Sequence, residues 1–315
     1  MREEREVWIE GTRYSVVISD EEEALLAADA AGRAVIGLWR RGCDPAAEEQ
    51  AGPDTGQTER AEWQDLSPAR YLVESAENLE PEYLERVVRR TFGIPWMIGE
   101  TRRLIIREFE TKDSRRVPPE PEDTEADRIF SRPDLLSEYI RCQYGFYEYG
   151  IWALMEKRSR QLVGKAGAAD LEIDWSQWEL TEEERGRQRR RDGMKTRAGK
   201  PRAGKPQTEK TPAEELPAGE PQTEKTQAEE PSAEEPERAL ELGYHIFMPF
   251  RNHGYASESC REIIRYMKLQ FPCRIYAKID ASNEASIRVA RSCGLKFIGR
   301  RYTGAGQWQY LYAEC

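Results

Sequence analysis

Apolar positions recur along this chain in two alternating rhythms, every second residue over short stretches and at three-to-four-residue spacing over longer ones. Near the start, Arg13–Ser19 predicts an apolar strand, Glu21–Ala31 an Ala-rich helix closed by Gly32, and Ala34–Trp39 a second strand, a compact βαβ pattern. Gly42–Arg60 predicts a polar loop, after which Tyr71–Glu74 and Glu82–Thr91 add a strand and a helix ahead of Gly93-Ile94-Pro95-Trp96. Arg102–Phe109 then predicts a strand, Asp134–Tyr149 a helix with an aromatic exit, and Ile151–Glu156 with Gln161–Ala168 a hairpin turning at Arg158-Ser159-Arg160. Beyond a long polar stretch the rhythm resumes. Leu240–Met248 alternates as a strand, Tyr255–Lys268 is a helix with Ile263, Ile264 and Met267 on its apolar side, and Arg274–Asp280 is a strand. Asn283–Gly294 follows as a capped helix closed by glycine, and Gly306–Tyr312 alternates as a final strand.

Between these two sets of elements, residues 179–237 have almost no aromatic or β-branched positions and are rich in Glu, Lys, Arg, Pro, Ala and Gly. Such a segment buries too little apolar surface to offset its conformational entropy, so it is expected to be disordered. It also repeats: Pro206-Gln207-Thr208-Glu209-Lys210-Thr211 recurs at Pro221–Thr226, which points to expansion by duplication. Its first part is basic and its second acidic, which fits either a solvated tether whose halves attract one another or a basic docking patch for RNA or an acidic partner.

A length of 315 residues allows two domains. The formal net charge of −10 argues against general nucleic-acid binding. Met1-Arg2-Glu3-Glu4-Arg5-Glu6 lacks the apolar core of a signal peptide, and no apolar run approaches a membrane span. Six cysteines are scattered without metal-ligand spacing, so neither a zinc site nor a disulfide framework is expected, and a reducing cytoplasm fits best.

Candidate chemistry concentrates where the alternating strand after the polar stretch runs into Arg251-Asn252-His253-Gly254-Tyr255-Ala256 and opens a helix. N–H groups in the first helical turn have no intrahelical partner, and the helix dipole adds partial positive charge there. A pyrophosphate can therefore be held by backbone alone, with Gly254 allowing close approach and Ala256 keeping the next contact small.

Arg251, Gly254 and Ala256 meet the phosphate signature of the GNAT N-acetyltransferases. Asn283, Ser286, Gly294 and Phe297 meet that family's second signature, an Asn, a Ser three residues later, and a helix ending in Gly before an aromatic strand. The chain thus resembles the GNAT family over about 100–177 and 238–315, and Glu241-Leu242-Gly243-Tyr244 is similar to its Rim-type branch. The resemblance implies a mixed, mostly antiparallel and splayed sheet flanked by helices, an α/β fold. Four segments follow: an accessory domain at 1–98, the first part of the GNAT domain at 99–178, the insertion at 179–237, and the acetyl-CoA-binding core at 238–315. Ile18-Ser19-Asp20 with Ala27–Gly32 resembles the last part of haloacid-dehalogenase-like domains, but the paired aspartates of such phosphatases are absent, so residues 1–98 are expected to be Rossmann-like and non-catalytic.

The same resemblance implies an enzyme that passes acetyl from acetyl-CoA directly to a primary amine, either a protein N-terminus or a small molecule, with no metal. The alternative is an inactive acyl-CoA-binding module. Phe247, Met248, Arg251, Asn252, His253, Gly254, Tyr255, Ala256, Asn283 and Ser286 are the implied cofactor contacts. A bulge near Phe247–Pro249 would free a backbone N–H of Phe247 or Met248 as oxyanion donor. Glu241 is the implied base and Ser286 the partner of the departing thiolate, since Ala290 stands where many relatives carry a Tyr. Glu241 could equally be a paired strand residue, and His245 either a base or an ordinary polar position. Tyr144, Tyr147 and Tyr149 form either an acceptor wall or a core edge. The sequence leaves the oligomeric state open.

Overall fold

The computed structural model describes residues 2–39, 65–77, 79–121, 124–198 and 238–314. The loop expected at 42–60 and the insertion beyond residue 198 lie outside the described residues. The chain divides into two compact units: Met1–Ala169 with Gly243–Tyr266, and Asp170–Leu242 with Met267–Cys315. This division does not follow the expected boundary near residue 98, because residues 1–98 fall in the same unit as the elements after them.

The first unit opens with β1 (Arg2–Ile9), β2 (Thr12–Ser19), α1 (Glu22–Ala30), β3 (Ala34–Leu38), β4 (Tyr71–Val73) and α2 (Pro81–Thr91). The strands form a four-stranded sheet in the order β1-β2-β3-β4, with β2, β3 and β4 parallel as the βαβ pattern requires. The sequence reading missed β1, whose first residues are nearly all charged. Only Val7 and Ile9 of β1 are buried, while Glu6 pairs with Arg13 across the hairpin at 3.1 Å. Glu10 and Gly11 both have positive φ (51° and 81°), the backbone that a two-residue hairpin turn needs. Ionic side chains and a single buried pair are what an edge strand requires, and they disguise it in the sequence.

A second set of strands in this unit comprises β5 (Met97–Glu100), β6 (Leu104–Arg107), β7 (Ile151–Glu156) and β8 (Leu162–Asp170), neighbours in that order and antiparallel. The sequence reading placed no element at β5, which is only four residues long. Between β6 and β7 lie the short helix α3 (Glu125–Arg128), then α4 (Pro133–Tyr139), a π-helical turn at Ile140–Tyr144, and α5 (Gly145–Tyr147). The expected helix at 134–149 is thus one run interrupted by a wider turn. Arg90 of α2 lies 2.9 Å from Glu108 just after β6, with 5% and 3% of their side chains exposed, so the small sheet's helix is tied to the second set of strands by a buried ion pair.

The second unit contains β9 (Glu179–Leu180), α6 (Glu182–Ala198), the first residues of β10 (Arg238–Ile246), the end of α7 (Tyr255–Gln270), β11 (Cys273–Asp280), α8 (Glu284–Ser292), β12 (Lys296–Tyr302) and β13 (Trp308–Ala313). β10 and β11 pair in parallel over Arg238–Glu241 and Cys273–Tyr276, and β11, β13, β12 and β9 follow as antiparallel neighbours. The expectation of a tether beginning at residue 179 is corrected at its start. Leu180 of β9 is buried in a core with Leu171, Trp178, Tyr276, Ile298 and Leu311. Three glutamates then open α6, where the helix dipole favours them. One of them, Glu184, is buried and takes a bidentate pair of hydrogen bonds from Arg274 at 2.7 and 2.9 Å. Side-chain exposure at both residues is 5%, so neither charge has water to fall back on. Loss of one partner from such a pair costs about 3–5 kcal/mol. Glu184→Ala is therefore expected to lower the unfolding free energy of the full chain by about 3 kcal/mol in urea denaturation; an unchanged midpoint would show that α6 does not dock.

Candidate active site

β10 ends at Ile246, two residues earlier than its alternation predicts. Pro249 has no N–H for a ladder, and Met248–Phe250 forms a single 3-10 turn in place of the expected bulge. Asn252 (φ 64°) and Gly254 (φ 79°) then adopt left-handed backbone on the way into α7. The helical ladder begins with the Glu258 N–H donating to the Gly254 carbonyl at 3.2 Å, so the Tyr255 and Ala256 N–H groups precede it. Alternation of left- and right-handed residues turns successive N–H groups toward one concavity, an anion nest. A Cβ added at Gly254 would stand 3.5 Å from Arg103 Nη2, so glycine keeps this cradle open as well as meeting its φ. Asn252, His253 and Gly254 are exposed, and Tyr255 and Ala256 are half-buried. The donor set fits a diphosphate.

Two cations flank the nest, and each is held by a carboxylate. Arg103, in the turn between β5 and β6, stacks its guanidinium 4.6 Å from the Tyr255 ring centre and donates through Nε to Glu258 at 2.7 Å. Glu258 also accepts from Thr101 Oγ1 and the Arg103 N–H at 2.5 and 2.8 Å. Burial raises its carboxyl, but these donors outweigh burial and bring it below the ordinary range. Arg251 turns back on its own loop, donating through Nε to the Ile246 carbonyl at 3.0 Å and through Nη2 to Glu120 at 2.6 Å. With both guanidiniums paired, the backbone N–H groups and the helix dipole, about half a positive charge, are the main attraction for an anion. His253 is occupied locally, with Nδ1 2.8 Å from the Arg251 carbonyl.

Glu120 is the residue that sequence reasoning missed. Oε1 accepts from the Met248 N–H at 2.6 Å, while Oε2 receives Arg251 Nη2 and lies 2.8 Å from His245 Nε2. Only 4% of its side chain is exposed. Burial raises its carboxyl, yet the three donors more than compensate and hold it below the ordinary carboxylate range. Nothing in Pro118-Pro119-Glu120 marks this role, because all three partners lie more than 120 residues away in sequence.

This arrangement corrects the oxyanion assignment. The Phe247 N–H donates to the Val163 carbonyl at 3.0 Å and the Met248 N–H to Glu120, so both proposed donors are engaged. Without the bulge, Phe247 simply continues the contact with β8. The acceptor wall is corrected too. Tyr144 and Tyr149 are 0% and 1% exposed. The Tyr144 hydroxyl donates to the Ile151 carbonyl at 2.6 Å and accepts from the Phe109 N–H at 3.3 Å, so it clamps β7 to the end of β6. Of the three tyrosines only Tyr147 remains at the surface, at 42% exposure.

In the second unit, Glu241 Oε2 lies 2.7 Å from Lys278 Nζ on the neighbouring strand, both side chains partly exposed. Asn283 caps α8, its Oδ1 accepting from the Ser286 N–H at 3.0 Å, and Ser286 sits half-buried in the first turn. Ala290 is buried, and Gly294 closes the helix at φ 83°. Among the described residues no group of His, Cys, Asp and Glu could hold a metal ion, and no helix is long and apolar enough to cross a membrane.

Residues 226–296, which take in β10, the nest, α7, β11 and α8, match the family model described as acetyltransferase (GNAT) domain. The likeness to the GNAT domain is a property of this segment. This match does not extend to residues 1–98. Among solved structures the chain is similar to a GNAT-family acetyltransferase from Bacillus anthracis, with 17% identity, 68% of this chain and 95% of that one covered, and a TM-score of 0.39. It is also similar to ribosomal-protein-S5-alanine acetyltransferase from Vibrio fischeri, with 13% identity, coverages of 69% and 94%, and a TM-score of 0.41. A third similar structure is RimL, a ribosomal L7/L12 alpha-N-protein acetyltransferase in complex with coenzyme A, with 10% identity, coverages of 70% and 97%, and a TM-score of 0.41. No curated protein matches the chain.

The nest makes one direct prediction. A β-branched side chain at Gly254 would carry a left-handed penalty of about 1–2 kcal/mol and push into the cradle. Gly254→Val should weaken coenzyme A binding at least about tenfold by isothermal titration calorimetry, since about 1.4 kcal/mol is a factor of ten. Unchanged affinity would move the diphosphate elsewhere.

Proposed function

We propose that this protein is an acetyl-CoA-dependent N-acetyltransferase that passes the acetyl group directly to a primary amine, a protein N-terminus or a small-molecule amine. The observation that carries the reading is the nest at the head of α7, with left-handed backbone at Asn252 and Gly254, inside the segment that matches the family. Backbone donors there suit the diphosphate of a coenzyme A substrate, with Phe247, Met248, Arg251–Ala256, Asn283 and Ser286 as its proposed contacts. A reducing, cytoplasmic setting is part of the same proposal.

Transfer forms a C–N bond and breaks a C–S bond. An amine that arrives as ammonium must lose one proton before attack and a second as the C–N bond forms, while the thiolate leaving group gains one. An α-amine, with an ordinary pKa of about 7.7–8.0, gives up its first proton more readily than a lysine at about 10.4. Glu241 is the proposed acceptor of that first proton, with Lys278 fixing its carboxylate. Ser286 is the proposed donor toward the thiolate.

One observation favours the other reading, an acyl-CoA-binding module without turnover: the Phe247 and Met248 N–H groups are already engaged. Turnover separates the two. Thiol release from acetyl-CoA with a panel of peptides and small amines is expected for the wild type. Glu241→Gln should reduce kcat/KM about a hundredfold, most steeply at the low-pH end where the amine is charged. Saturable binding of acetyl-CoA with no amine acetylated would establish the module instead.

A further inference from the structure

We propose that Glu120 and His245 form a carboxylate–imidazole dyad in which His245 Nδ1 takes the second proton, the one released as the C–N bond forms. This inference rests on the acetyltransferase reading and adds a proton acceptor in the same compact unit as the nest.

The chemistry of the pair fixes the tautomer. A carboxylate accepts hydrogen bonds, so at 2.8 Å from Glu120 Oε2 the Nε2 atom carries the hydrogen, and the lone pair of the neutral ring lies on Nδ1. Among the described residues Nδ1 makes no hydrogen bond, and 22% of the side chain is exposed, so an amine can reach it. Glu120 is nearly buried and held from two further directions by Arg251 and the Met248 N–H. It cannot swing away, and it supplies negative charge to an imidazolium as that forms.

His245 lies on β10 two residues before the turn that leads into the nest, so the ring is anchored to the same rigid strand end that positions the diphosphate site. The charged groups around it are accounted for. Glu120 bonds the ring directly, Arg251 shares the same carboxylate oxygen, and Lys165 on the adjacent β8 is paired with Asp127 at 2.6 Å. The Phe247 ring lies 5.9 Å away and adds no charge.

In the proposed step the nitrogen of the neutral amine bonds to the thioester carbonyl carbon, its proton passes to Nδ1, and the C–S bond breaks to release a thiolate. The imidazolium is then neutral overall with Glu120 and returns its proton to solvent, while the thiolate is protonated in turn. No redox partner is required.

Two readouts test the dyad in the full-length protein. The chain has only two histidines, so ring nitrogen NMR on histidine-labelled protein resolves His245. It should show the Nε2–H tautomer, with the lone pair on Nδ1. Kinetically, His245→Asn should reduce kcat about a hundredfold with coenzyme A affinity within about twofold. Glu120→Gln should reduce kcat about tenfold with coenzyme A affinity within about twofold, and Glu120→Asp should restore part of the loss. A purely structural Glu120 would weaken coenzyme A binding along with kcat, and Glu120→Asp would rescue neither. If the wild type turns over and the ring carries its hydrogen on Nδ1, or if His245→Asn keeps more than half its activity, the dyad falls and the acetyltransferase reading stands. If the wild type transfers acetyl to no amine, that reading falls and the base role falls with it, whatever the tautomer.

Discussion

The function proposed for this chain depends on a few backbone N–H groups that the helix itself cannot satisfy. A helix cannot satisfy the donors of its own first turn. Here the approach to α7 is shaped so that the cost becomes a site, with left-handed backbone at Asn252 and Gly254 and a proline-containing turn just before them. Side chains play a supporting part. Arg103 and Arg251 bring positive charge to the neighbourhood, but Glu258 and Glu120 take most of it back, so the attraction for an anion comes from geometry that no side-chain substitution away from Gly254 can easily remove.

Glu120 shows how one buried carboxylate can organise such a site. Its two oxygens gather a strand-end N–H, an imidazole and a guanidinium, which fixes the exit of β10, the ring of His245 and the reach of Arg251 together. Glu258 does the corresponding work from the other side, joining the first turn of α7 to the β5–β6 turn through Thr101 and Arg103. The nest is thus held between two carboxylate clamps, each with its charge compensated. Both carboxyls sit below their ordinary range because donors prevail over burial. The stability they contribute is therefore present above the unfolded carboxylate pKa and is lost as pH falls below it.

Much of this was legible in the sequence. The βαβ pattern of Arg13–Trp39, the hairpin at 151–168, and the strand, turn, helix and strand of residues 240–280 follow hydrophobic rhythm closely, because each buries one face and its neighbours in sequence are its neighbours in space. Gly254, Asn283 and Gly294 were identifiable for a related reason, since their roles are local backbone requirements. What failed depends on partners distant in sequence. β1 was given no element because its charged residues make sense only once its pairing with β2 is seen, and Glu179–Ala198 looked like the start of a tether because the residues that anchor it, Arg274 and Ile298, are far along the chain. Tyr144 and Tyr149 carry the composition of a binding wall, yet they are core residues, one of them clamping two strands. Glu120 left no signal at all, lying in a proline-rich stretch that no periodicity distinguishes.

The most direct test of this account is a titration of the isotope-labelled protein with coenzyme A, followed through its backbone amide resonances. The account predicts saturable shifts largest at Gly254, Tyr255 and Ala256, reduced when a coenzyme A fragment lacking the diphosphate is used. Saturable binding that leaves those three amides unmoved, or an absence of binding altogether, would contradict it.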